Sequence, residues 1–215
     1  MSRTTDPASA QAFIVGRNQA TPFPVGQLAS HDAYIDALFN RYGQSHSARY
    51  ARIRASAGKA GSPTRANTER LTTLLERHGV SGVLETNVIC YSSPMSADLS
   101  MESHRGGKEA GTRIFRELLS AVQPRILIVH GEGTRADVGK ILSQALPPPP
   151  TGPEDELARS AVTLGGASGT RPSAVFVIPS LAPPGWNRWS RWAPAYLERL
   201  AIAAAGILAR SEIEA

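Results

Sequence analysis

The sequence predicts an α/β fold, a three-layer α/β/α sandwich around a central, mostly parallel four-stranded sheet. Two observations predict it. Four short apolar runs each stop at a small polar segment, and helical periodicity fills the intervals between them. In such sheets ligands bind outside the carboxyl ends of the strands, so the four polar segments are expected to share one functional rim.

The first run, Ala12-Phe13-Ile14-Val15, enters Gly16-Arg17-Asn18-Gln19, which is expected to be a loop. Ser30 is placed to cap a helix with Tyr34, Ile35, Leu38, Phe39 and Tyr42 on one face. Residues 43–63 are rich in Gly, Ser and Arg and read as a long functional loop. A helix from Thr64 to His78 carries Leu71, Leu74 and Leu75 and meets a C-cap glycine at Gly79. The second run, Val83 to Thr86, enters Asn87-Val88-Ile89-Cys90-Tyr91. Thr112 to Val122 places Ile114, Phe115, Leu118, Leu119 and Val122 on a buried stripe before Pro124. The third run, Arg125 to Val129, ends in His130-Gly131-Glu132-Gly133, and a helix follows from Thr134 to Leu146. Residues 147–173, opening on four prolines, read as a low-complexity insertion in which Ala161–Leu164 is a candidate edge strand against 174–178. The fourth run, Ala174 to Ile178, ends in Pro179-Ser180, and a helix from about Ala193 to Ala209 closes the chain over the sheet. One domain over residues 1–215 is expected, with 1–10 as a flexible N-terminus.

Composition narrows the chemistry. No apolar run approaches membrane-spanning length and the first residues lack a secretory apolar stretch, so a cytoplasmic protein with no membrane partner is expected. A single cysteine, Cys90, excludes an intramolecular disulfide and any four-cysteine metal site. The net charge of +5 and a pI near 9.8 suit a polyanionic partner. Arg41, Arg49, Arg52, Arg54, Lys59, Arg65 and Arg70 concentrate that charge in one connecting region. Gly16-Arg17-Asn18-Gln19 lacks the later glycines of a dinucleotide fingerprint and the Gly-Lys-Ser/Thr of a phosphate loop. Ala136 stands where Gly131-Glu132-Gly133 would need a third glycine, and there is no Gly-x-Ser-x-Gly elbow. His130 and Glu132 have no zinc spacing with another His or Cys, so neither metal nor cofactor is expected.

In order along the chain, these segments resemble the uracil-DNA glycosylase superfamily. Ile14-Val15-Gly16-Arg17-Asn18-Gln19-Ala20 is similar to the strand and Gly-x-Asn-Pro-Gly of its mismatch-specific and single-strand-selective branches, with Pro-Gly replaced. Leu84-Glu85-Thr86-Asn87-Val88 resembles the strand whose Asn reads the base. Glu117 to His130 resembles the family's helix, Pro and strand-to-Gly passage. Ile178-Pro179-Ser180 resembles its final His-Pro-Ser or Asn-Pro-Ser, and the likeness spans roughly Phe13 to Leu200.

The resemblance implies a monomeric, cofactor-free DNA glycosylase of base excision repair, a hydrolase whose partner is uracil-containing or damaged DNA. It implies Asn18 as the group that orients water and Asn87 as the reader of O4 and N3–H of uracil, beside Gly16. Phe23 is the expected stacking face, with Tyr91 in reserve. Ser180 is a candidate leaving-group donor, because Ile178 cannot donate to uracil O2. Loss of one such donor costs roughly 2.7–4 kcal/mol in comparable sites. Leu181 and Trp186 are expected as apolar wedges, and Arg188 and Arg191 as phosphate contacts. The alternative is a nucleic-acid-binding module on the same fold with catalysis lost. Plainer structural roles stand beside these: Asn18 as a turn residue, His130 as a core histidine lining the site, the three tryptophans as a cap under the last helix, the arginines as a solvated face, and Cys90 as a small buried apolar residue.

Overall fold

The computed structural model describes residues 7–19, 62–93, 95–167 and 169–213. The expected helix from Ser30 to Tyr42 and the 43–61 portion of the arginine-rich connection lie outside them. The strand β1 (Ala12–Gln19) pairs in parallel with β2 (Val83–Ser92) on one side and with β3 (Ile126–His130) on the other. Beyond β3 lie the antiparallel pair β4 (Arg159–Gly166) and β5 (Gly169–Ile178), with β5 parallel to β3. The order is β2-β1-β3-β5-β4. The sheet thus has five strands instead of four and is mixed, because the antiparallel edge strand β4 joins four mutually parallel ones. The extra strand contains the candidate edge segment: Ala161 pairs with Ala174, and Val162 to Leu164 pair with Ser173 to Arg171.

Helices flank both faces. Against one, α1 (Pro63–Arg77) and α5 (Ala193–Ile213) bury Leu71, Leu75, Tyr196 and Leu200 with Ile14, Ile128 and Phe176. Against the other, α2 (Gly107–Val122) and α3 (Glu132–Leu142) bury Phe115, Leu119 and Val138 with Phe13, Val15, Leu127 and Val129. Pro63 opens α1, where a missing N–H costs nothing. Gly79, at φ +86°, ends it: Val80 N–H donates to Leu75 O and Gly79 N–H to Glu76 O, a Schellman closure.

α2 begins five residues before the expected start at Thr112, because two glycines extend its buried face. A Cβ on Gly107 would lie 2.6 Å from the Tyr91 ring, and one on Gly111 would lie 2.9 Å from the Cys90 nitrogen. The helix therefore sits directly on β2. Its buried line is Gly107, Gly111, Phe115, Leu119 and Val122, whereas Ile114, expected inside, is exposed. α3 ends at Leu142 instead of Leu146, because Ser143 takes a left-handed conformation ahead of the prolines. The short helix α4 (Gly185–Trp189) precedes α5.

The connection from α3 to β4 is fastened by side chains. Arg135 donates to Leu146 O, Arg199 to Pro153 O and Asp155 O, and the Asp155 carboxylate accepts from the backbone N–H of Thr151 and Gly152. At the amino end, Ala10 is buried and Pro7–Ser9 form a 3-10 turn.

Candidate functional site

The chain leaves β1 for β2 on one side and returns to β3 on the other. Between the carboxyl ends of β1 and β3 the connections diverge, and such a switch point opens a crevice in parallel sheets. Side chains that project there toward α1 and α5 form one row across four strands. Asn87 is in register with Gly16, Val15 with Val129 so that Gly16 neighbours His130, and His130 with Ile178. Gly16 is required in this row. A Cβ there would stand 2.8 Å from Asn87 Oδ1 and 3.1 Å from His130 Nε2, so both polar atoms border the space above the glycine.

His130 is held from behind. The Leu181 N–H donates to its Nδ1 at 3.5 Å, and the Leu181 carbonyl accepts from buried Asn67 Nδ2 of α1 at 2.9 Å. A nitrogen that accepts cannot carry the proton of a neutral imidazole, so the hydrogen bonding assigns that proton to Nε2. Burial lowers the His130 pKa from 6.5 to about 4, keeping the ring neutral at ordinary pH. Neither Nε2 nor the Asn87 carboxamide has a hydrogen-bond partner among the described residues. From the sequence alone His130 is expected to do no more than line the site. The available signal was a polar residue closing an otherwise wholly apolar strand.

Gly16 and Asn18 lie within β1, and Asn87 to Tyr91 within β2, so the two expected loops are strand. Backbone pairing between the two polar segments carries both strands onward, with a bulge between Asn18 and Gln19. Asn18 Nδ2 donates to Ser93 Oγ at 2.8 Å, and that hydroxyl donates to Met95 O, which fixes the amide end of the carboxamide. Tyr91 is not brought to Asn87. Its ring lies over Gly107 against α2, with its hydroxyl 3.0 Å from His104 Nδ1, which corrects its place as a reserve stacking residue. Phe23 lies outside the described residues.

The segment after β5 turns tightly. Ser180 Oγ donates to Ala182 O and accepts from Ala182 N–H, and the Ser180 carbonyl accepts from Trp189 Nε1. Leu181, expected as an exposed wedge, is wholly buried in the core beside α1 and α5, so it cannot enter a groove. Trp186 is half-buried and stands edge-on to Trp189 at 5.1 Å, and Trp189 in turn meets Trp192 and Tyr196. These rings form the cap under α5. Arg188 and Arg191 are exposed. Gly133, in the first turn of α3, has a packing role: Arg17 lies against it and pairs with Asp137 at 3.1 Å.

A cleft at the amino ends of the strands, between Gln11, His78 and Ala209, is remote from this rim. Its polar groups pair with one another or with α5, His78 with Glu198 and Ser81 with Gln11. Among the described residues no three His, Cys, Asp or Glu converge as a metal site, and no helix is long and apolar enough to cross a membrane. Compared with known proteins, the chain matches no family model and no curated sequence.

Proposed function

We propose that the chain is a cofactor-free, monofunctional DNA glycosylase on a uracil-DNA glycosylase-like fold. It would hydrolyse the N-glycosidic bond of uracil or a related damaged base. The observation that supports this reading is the row of Asn87, Gly16 and His130 at the switch point, with Asn18 one step along the same strand as Gly16.

An extruded base needs a polar edge reader in a close-fitting notch, and the departing base needs hydrogen-bond donors as it gains negative charge. In this reading Asn87 meets the pyrimidine edge, while the Asn18 carbonyl places water near the sugar. Arg188 and Arg191 reach flanking phosphates, and the protein acts as a monomer on DNA. A cytoplasmic site of action fits the expected substrate.

One observation favours the second reading, a nucleic-acid-binding module without catalysis. Ile178, where the resembling family has His or Asn, is fully buried among core residues, and the Ser180 hydroxyl is engaged by its own loop. The test is incubation with uracil-containing single- and double-stranded oligonucleotides followed by alkali. Strand scission at uracil is expected, with a fall of about 10²–10³ in the single-turnover rate for Asn18→Ala. Tight binding without scission would establish the second reading. Neither scission nor binding to either oligonucleotide would end both.

A further inference from the structure

We propose that His130 is the hydrogen-bond donor to the departing base, supplying from β3 what Ile178 cannot supply from β5. This rests on the glycosylase reading. It commits the site to bases that turn a ring carbonyl toward Nε2, as uracil and the deaminated purines do and adenine does not.

Three features of the site carry the inference. His130 and Ile178 are register partners, so the imidazole stands one strand away from the position that lacks a donor. The Leu181 N–H occupies Nδ1, which leaves Nε2 as a donor and never an acceptor. Nε2 and Asn87 Oδ1 both crowd the missing Cβ of Gly16, and neither is satisfied by a described residue. A neutral imidazole also suits the task, since its burial resists protonation. The electron pair of the C1′–N bond passes to the base. Water adds to C1′ and releases a proton to solvent, and His130 keeps its own proton, stabilising the anion through the Nε2–H hydrogen bond alone.

The test compares His130→Leu and His130→Gln in single-turnover excision of uracil and 5-fluorouracil from the same oligonucleotide. His130→Leu should slow uracil excision about 10²–10³-fold. It should slow 5-fluorouracil less, because fluorine already stabilises the departing anion. His130→Gln returns an amide donor and should recover at least about 10-fold of the loss. Equal losses on both bases would mark a merely structural role and overturn the proposal, as would an unchanged rate in a folded His130→Leu protein. A wild-type protein that excises neither base would overturn the glycosylase reading and this proposal with it. Excision indifferent to His130 would overturn the proposal alone. Should the variants fail to fold, imidazole nitrogen NMR of the wild-type protein decides. A proton on Nε2 that shifts on adding an oligonucleotide carrying non-hydrolysable 2′-fluoro-deoxyuridine is expected, and a proton on Nδ1 or an unmoved signal would refute it.

Discussion

Lowering the pH should destabilise the fold through His130. Its pKa falls from 6.5 to about 4 because the charged ring would lose its hydration on burial. The unfolded chain therefore binds a proton between these values that the folded chain refuses. Stability contributed by the neutral ring is intact above pH 6.5, declines as the pH falls, and levels off below about pH 4, where both states are protonated. The gap corresponds to at most about 3 kcal/mol. At about 1–3 kcal/mol per M of urea, that is a midpoint loss of about 1–3 M. Urea unfolding of the wild type and His130→Gln from pH 8 to pH 4 measures it. Carboxylates contribute equally to both proteins, so the difference between the two curves isolates the imidazole. The wild type should lose stability faster than the variant across this window. A difference constant with pH would show that the ring is hydrated in the fold, and would remove the argument for its neutral state.

Two glycine substitutions should behave differently. Gly16→Ala meets only the ends of two side chains, Asn87 Oδ1 and His130 Nε2, and should cost about 1 kcal/mol or less while abolishing preference for uracil-containing DNA in a binding titration. Gly111→Ala meets the Cys90 backbone at 2.9 and 3.0 Å and should cost about 1–3 kcal/mol in thermal unfolding, with that preference retained. The reverse pattern would place the functional notch elsewhere. Asn67→Leu removes the donor to the buried Leu181 carbonyl and should destabilise by about 1–3 kcal/mol. Amide hydrogen exchange at Leu181 should accelerate in this variant, and unchanged protection there would show that α1 does not hold the segment.

What the sequence conveys about this fold follows from where a single residue type decides the outcome. Apolar runs buried on both faces, such as Ile126 to Val129, announce their strands, and Gly79 announces the end of α1 because few other residues adopt its backbone conformation. The polar halves of β1 and β2 are strand only because each supplies the other's backbone hydrogen bonds, a pairing such as Gly16 with Asn87 that neither pattern reveals. Gly107 and Gly111 carry no apolar signal, so their place in α2 is visible only once Tyr91 and the Cys90 backbone are seen to need their space. Leu181 follows Pro179-Ser180 as an exposed loop residue would, yet it is buried in the core shared with α1 and α5. Asn87 is legible as a candidate because a polar amide interrupts an apolar run, whereas Asn18, within the polar Gly16-Arg17-Asn18-Gln19, stands out only through the resemblance. The prominence of His130 depends on which nitrogen the Leu181 N–H occupies, and that is a tertiary fact.

The fastened connection between α3 and β4 has a mechanical consequence. It takes a hydrogen bond from Arg135 on one face of the sheet and two from Arg199 on the other, so it passes around the β4 edge as a clasp between the outer layers. Its four prolines offer no backbone N–H, and the run can cross this edge without leaving donors to satisfy. Layers joined in this way cannot slide past each other at β4 without breaking several contacts together. Residues 144–158 should consequently open as a unit with the ends of α3 and α5 and not as an independent loop.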